Sequence, residues 1–373
     1  MRREETEAAG LPYGLAAVGR EPAPLNGEIL AVLTARNEEL RLPSCLRHFR
    51  RLGVDRVILV DNLSTDRTAE IAAADDRVHL FTAPGSYAGS NFGVDWANAL
   101  LDRYCRGHWV MVGDIDGLPV FPGCDRVGLR ALCAHLDSLG SEAFRTLLLD
   151  CFPGGPLRDL RFAVGNELLE AAPWFEVPRL HRERTAEFPY EIEYGGIRQR
   201  LFFPETDPRR PARWLRQKLF NLGWRLSPLR EAPWYRALSP KRPPAVTNVP
   251  LVRWREGARY IKATHSLEPM AMAPAQPSGV LLHFKFLQDF HERALDAVRR
   301  NAHWDNSREY RRYLAVVHRD PDFRLHGPQS VRYQGPEQLV ALGLMHDTPS
   351  WQAARTMAAA PELEQAVNPA PTQ

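Results

Sequence analysis

The chain has 373 residues, 44% hydrophobic and 25% charged, which suits a globular protein with a large core. A formal charge of +3 is small for this length and argues against a general nucleic-acid binder. Five cysteines (Cys45, Cys105, Cys124, Cys133, Cys151) form no CxxC pair, which argues against a disulfide framework or zinc site and for a reducing compartment. The first residues, MRREETEAAG, have no apolar core behind their charges, unlike a secretory signal. No window approaches the roughly 20 apolar residues that span a bilayer, so the expectation is a cytoplasmic enzyme.

In chain order, residues 1–25 are polar and aperiodic and read as a flexible tail. Short apolar runs follow at Ile29 to Leu33, Val57 to Val60, Val78 to Phe81, Trp109 to Val112 and Thr146 to Leu149. Their continuous hydrophobicity predicts strands covered on both faces, as in a parallel sheet. Leu42, Cys45, Leu46 and Phe49 recur at helical spacing, Ser64 to Asp66 offer caps for a helix through Ile71, and Asp95 to Tyr104 gives a third helix. This βαβαβ order predicts an α/β doubly wound sheet with its ligand site at the strands' carboxyl ends. Residues 26–345 form the expected domain, and 346–373, rich in alanine and proline, read as a second flexible tail. Within the domain, 205–243 is a basic insertion: Glu205 to Arg242 holds ten Lys/Arg against three acids, with Trp214, Trp224 and Trp234 interspersed. Leu215, Leu219, Leu222 and Leu226 lie at helical spacing among Arg213, Arg216, Lys218 and Arg225. Such a helix can lie peripherally on the anionic inner face of a membrane. The favoured alternative packs the leucines on the domain and leaves the arginines in water.

Three segments carry candidate chemistry. In VILVDNLSTDRT, Asp61 ends a strand, where it either accepts hydrogen bonds from a ribose or base or simply forms the turn. In WVMVGDIDGLPVFPG, Asp114 and Asp116 flank Ile115 at a strand end. Two carboxylates this close repel unless a cation or proton lies between them, and a hard divalent ion suits oxygen ligands. Asp320-Pro321-Asp322 has the same spacing in a polar, proline-broken stretch and reads as a turn. Late in the chain, His283 and Lys285 of LLHFKF lie two residues apart, on one side of a strand.

In order and spacing, these blocks resemble a family 2-type glycosyltransferase of the GT-A fold, in a bacterial branch. The resemblance runs from about Leu30 to about Leu344, through TARNEE, VDNLSTDRT, SYAGSNFGVDWANALLDRY, GDID, GGIRQR, VPLVRW and LLHFKF. It implies a mixed central sheet flanked by helices with a helical C-terminal extension. It also implies transfer of a sugar, with inversion, from a nucleotide-sugar donor (UDP-type favoured) to a glycan or other hydroxyl acceptor. By resemblance, Ala35, Arg36, Asn37, Glu38 and Asp61 border the nucleotide, while Asp114 and Asp116 match the metal-binding D-x-D for Mn²⁺ or Mg²⁺. By the same resemblance, a late histidine, here His283, completes the metal shell and Lys285 faces the diphosphate; the alternative is a histidine partly buried beside aromatics with Lys285 in water. The family's usual acid after D-x-D is Gly117 here, which puts metal affinity, donor preference and activity in question.

Inverting transfer needs a carboxylate to take the acceptor's proton, and Asp150, Glu191 and Glu193 are the candidates. Arg198 and Arg200 can hold phosphate or form surface ion pairs, and His265 is a further pocket candidate. Two rival functions stand beside transfer. One is a non-catalytic nucleotide-sugar or glycan-binding protein. The other is a haloacid dehalogenase-type phosphatase, disfavoured because Leu118-Pro119 replaces its Thr-Leu step.

Overall fold

The computed structural model describes residues 10–183, 192–225, 242–261, 264–269, 272, 276–301 and 303–367. The nine strands of its central sheet are β1 (Ala16–Val18), β2 (Ile29–Ala35), β3 (Arg56–Asp61), β4 (Val78–Thr82), β5 (Trp109–Asp114), β6 (Gly117–Val120), β7 (Ala143–Asp150), β8 (Thr247–Arg253) and β9 (Ser278–His283). In space they run β1-β4-β3-β2-β5-β8-β7-β9-β6. The four strands β4, β3, β2 and β5 are mutually parallel, as the apolar runs predict. β8 then enters antiparallel between β5 and β7, so the sheet is mixed.

Alternation along each strand feeds two cores. Ala31, Leu33 and Ala35 of β2 pack on one face with Leu42, Cys45, Leu46 and Phe49 of helix α1 (Leu42–Leu52), whereas Leu30 and Val32 pack on the other. On that second face lie Trp96, Leu100 and Leu101 of α3 (Val94–Tyr104), following α2 (Thr68–Ala74). Gly53, at φ 85°, ends α1 in the left-handed conformation that glycine adopts without a Cβ penalty. Helices α4 (Leu129–Ser138), α5 (Leu168–Ala171), α6 (Gly196–Phe202), α7 (Pro211–Arg225), α8 (Phe290–Arg299), α9 (Trp304–Arg319), α10 (Pro336–Ala341) and α11 (Pro349–Val367) complete the chain. An aromatic cluster with Phe202, Phe286, Phe290 and Tyr313 joins α6, α8 and α9 just beyond the end of β9.

Both expected tails are partly ordered. Ala16–Val18 pairs antiparallel with β4, and Leu15 is buried beside it. Three residues are too few to show a period. Toward the C-terminus, α11 replaces the predicted fraying: Trp351 is fully buried and its Nε1 donates to the Pro122 carbonyl at 2.8 Å. One large aromatic anchors a helix whose composition alone says little. Among the described residues, no helix is long and apolar enough to cross a membrane.

The far edge of the sheet positions the site. β6 can hold Pro119 because an edge strand leaves one side of its backbone unpaired. β9 lies between β7 and β6, with His283 in register with Asp150 on one side and Gly117 on the other. Gly279 permits this insertion, since a Cβ there would stand 2.5 Å from the Val120 carbonyl and 2.7 Å from the Phe144 ring. Gly279→Ala should therefore cost about 1–3 kcal/mol by overpacking. A lower denaturant midpoint at unchanged slope is the expected reading.

Candidate active site

Strands β2, β3, β5, β7 and β9 end at one edge of the sheet, over a cleft of about 1130 Å³. β5 stops at Asp114 and the chain turns through Ile115 and Asp116 into β6. Asp114 is open to the cleft, but the protein around it and then the Asp116 charge push its carboxyl up to about 6. Asp116 is buried. Burial alone would raise its pKa, but the neighbouring His283 outweighs it and holds the carboxyl far below the usual range.

The structure brings Asp116 and His283 together from opposite parts of the chain. His283 Nε2 lies 3.3 Å from Asp116 Oδ2, and Nδ1 lies 2.6 Å from Asp150 Oδ1. The backbone fixes the same contact, because Phe284 N–H donates to the Asp116 carbonyl at 2.7 Å. Burial works against the imidazolium, but Asp116 and Asp150 overcome it and raise the His283 pKa. Asp150 also accepts from Arg198 Nε at 2.8 Å, and Arg198 Nη1 reaches Glu309 at 3.4 Å. Glu309 in turn pairs with Lys285 at 3.3 Å and accepts from the Tyr313 hydroxyl. Lys285 and Arg198 outweigh the burial of Glu309 and lower its carboxyl to about 2.

The donor chemistry fits a divalent ion. An imidazole oriented by a carboxylate and facing a second carboxylate is a common metal-site arrangement. Two neighbouring ligands at about 2.1 Å from one ion stand about 3 Å apart, close to the Asp116–His283 separation. Among the described residues, no group of three His, Cys, Asp or Glu side chains is arranged to hold a metal ion unaided, so such a site relies on further oxygens from solvent or substrate.

Gly117 explains the missing acid. A Cβ at this position would meet the Leu281 side chain at 3.2 Å, so any side chain here would start crowded against a residue of the core.

The opposite wall is built from the first two strand-end loops. Ala35, Arg36, Asn37 and Glu38 line the cleft. Asn37, at φ 53°, donates its N–H to Ser64 Oγ at 2.9 Å and accepts from Thr65 N–H at 2.8 Å, joining the two loops. Arg36 Nη1 donates to the Asn62 carbonyl at 2.5 Å. Asp61 does not line the cleft. Its carboxylate accepts from the Ser64 N–H and hydroxyl, so in this structure it serves as the turn former. Helix α8 and the residue that caps it close over these loops: Arg293 pairs with Glu38 at 2.5 Å and Arg300 donates to Asn62 Oδ1 at 3.2 Å.

The three candidate bases fare differently. Asp150 reaches the site, but both its oxygens are engaged by His283 and Arg198, whose charges outweigh burial and lower its pKa. It positions the histidine. Glu193 pairs with Arg182 at 2.9 Å and does not line the cleft, while Glu191 lies outside the described residues. Of the two arginines, Arg198 is the buried partner of Asp150, while Arg200 pairs with Glu176. His265 lines the cleft, with Nδ1 2.7 Å from the Thr247 carbonyl. Asp320-Pro321-Asp322 forms a turn, as its context predicts.

Sequence reasoning missed Arg41, Arg293, Arg300 and Glu309. The last three are charged residues of late helices, placed by tertiary packing and carrying no local signal. Arg41 stands two residues past TARNEE, is fully buried, and donates to the Phe284 carbonyl and to both oxygens of Asp289.

Fold and site together define an α/β domain with a ligand-sized cleft at the carboxyl ends of its parallel strands. Residues 31–119, about a quarter of the chain, match the family described as glycosyl transferase family 2. That segment runs from β2 into β6 and takes in both aspartates. No curated protein matches the chain. Among solved structures it is similar to 4-diphosphocytidyl-2C-methyl-D-erythritol synthase, at 15% identity over 38% of this chain and 68% of that one, TM-score 0.23. A complex of glucosyl-3-phosphoglycerate synthase from Mycobacterium tuberculosis with Mn²⁺, UDP and product shares 21% identity over 36% of this chain and 47% of that one, TM-score 0.21. This chain thus spans about half the length of that synthase. UTP-bound UGPase from Acinetobacter baumannii matches at 11% identity over 92% of this chain and 100% of that one, TM-score 0.24. TM-scores this low carry no further argument.

Gly117→Glu should not tighten Mn²⁺ binding, because the added carboxylate starts toward Leu281. Burying it should cost about 2 kcal/mol or more. Calorimetric Mn²⁺ titration and thermal melting read the two effects separately.

Proposed function

We propose that the protein transfers a sugar, with inversion, from a UDP-type nucleotide-sugar to a hydroxyl acceptor with the help of a divalent ion. The observation that supports it most is the meeting of Asp116 and His283 at the sheet edge, 3.3 Å apart, in the same cleft as the loops after β2 and β3. Asp116 and His283 would hold the ion, with Asp114 facing the same cleft and Asp150 fixing the imidazole. The ion supplies charge neutralisation for the departing diphosphate. Ala35 to Glu38 would border the base and ribose, and Lys285, held by Glu309, would present its ammonium to the phosphates. Asp61 acts behind them by holding the loop. The phosphatase alternative loses its footing, since the DID segment lies inside the family match.

A second reading has one observation in its favour. Of the proposed bases, Asp150 is fully engaged and Glu193 is turned to Arg182, which suits a protein that binds the nucleotide-sugar without turning it over. Release of free sugar or UDP from a labelled donor distinguishes transfer from binding.

UDP-sugar binding should weaken tenfold or more on chelation, measured as a lost thermal shift that Mn²⁺ restores. Asp116→Ala and His283→Ala should each weaken Mn²⁺ binding, and the double variant should lose less than the sum, since both would act on one ion. Nucleotide-sugar affinity unchanged by chelator overturns the metal assignment.

A further inference from the structure

Helix α7 is amphipathic the wrong way round for a helix packed on a soluble domain. At 100° per residue, Trp214, Leu215, Lys218 and Leu219 share one face, and Arg213 and Phe220 lie on the other. It is the apolar face that is bare: Trp214 is 55%, Leu215 53% and Leu219 52% exposed. The inner face buries Phe220 and Arg213, whose guanidinium donates to the Thr206 carbonyl at 2.8 Å and pairs with Glu183 at 2.5 Å. This corrects the expectation that the leucines pack inward with the arginines in water. Arg213 is the anchor because its charge has partners inside, and the leucines face outward. Leu222, Arg225 and Leu226 have side chains outside the described residues.

We infer that this face docks onto an anionic lipid bilayer. The charge around it selects the partner. By sequence, the segment that holds the helix, Glu205 to Arg242, has ten basic residues against three acids, of which Arg213 and Arg242 are turned inward to Glu183. Arg209 and Arg210 are exposed just ahead of the helix, Arg209 paired with Asp207, and Lys218 sits 4.0 Å above the Trp214 ring. Tryptophan flanked by cations beside exposed leucines suits the headgroup boundary, where the ring and aliphatic chains enter the acyl region and the ammonium stays with lipid phosphates. A second copy fits worse, because a two-fold contact would set one basic segment against another. The helix lies on the membrane and does not enter it, in keeping with its Arg213 anchor. Glu183 also binds Arg242 at 3.0 Å, and Arg242 lines the cleft, so docking would hold the mouth of the cleft near the lipid surface. The inference is independent of what the cleft binds.

Vesicle flotation of the full chain tests it. Phosphatidylglycerol–phosphatidylcholine vesicles at low salt should carry the protein up, and pure phosphatidylcholine vesicles should carry roughly tenfold less. High salt should weaken the binding. Leu215→Ser with Leu219→Ser should lose roughly tenfold or more of the partitioning at an unchanged melting temperature, and Lys218→Gln about fivefold. Protein that stays at the bottom with anionic vesicles overturns the proposal, as does a leucine double variant that floats like the wild type. A concentration-dependent dimer abolished by the same double variant, without vesicle binding, assigns the face to a second copy and also overturns it.

Discussion

Asp116, His283, Asp150 and Arg198 form an unbroken row of ionisable side chains, none more than 7% exposed. Isolated charges at such depth would be expensive, and each here is tolerable because the next compensates it. The row crosses from the β5–β6 turn through β9 and β7 into α6, then through Glu309 into α9. Its members come from positions 116 to 309, so it forms only when the whole sheet edge has assembled. The placement of β9 between β7 and β6 is the constraint behind it, and the aromatic cluster of α6, α8 and α9 packs around the same strand end.

Across the cleft the logic differs. The loops after β2 and β3 are joined by side chain to backbone bonds, chiefly through Asn37 and Ser64, and the arginines of α8 grip them from above. One wall is therefore a hydrogen-bonded pair of loops and the other a row of alternating charges. The cleft between them faces cationic groups on α8 and the Lys285 ammonium, with Asp114 exposed on the floor. A ligand with a polar, uncharged ring system at one end and concentrated negative charge at the other suits these two walls.

What the sequence revealed depended on how local the physics was. The first five runs of β-forming residues were legible because strands buried on both faces are hydrophobic throughout. Asp114 and Asp116 were legible because a strand end is a privileged place for a polar pair. β1 and the C-terminal helix were not: one is three residues long and the other is anchored chiefly by a tryptophan meeting a distant carbonyl. The outward face of α7 was misread because the leucine period marks amphipathicity without saying which side meets the protein. Asp150 was picked out as an acid at a strand end, but its task depended on Arg198 and His283, which only the tertiary fold brings to it.

Arg41 bears on how this protein can be divided. Its guanidinium is wholly enclosed, and its hydrogen-bond partners other than Glu38 belong to residues 284–289, far along the chain. The strand β6, which closes the family-matched segment, is likewise paired only with β9 within the sheet. A fragment cut after residue 119 would strand a buried cation and leave an edge ribbon without its neighbour. The family-matched quarter of the chain is thus not a unit of folding by itself, and the late segment 284–289 is what lets the early one stand.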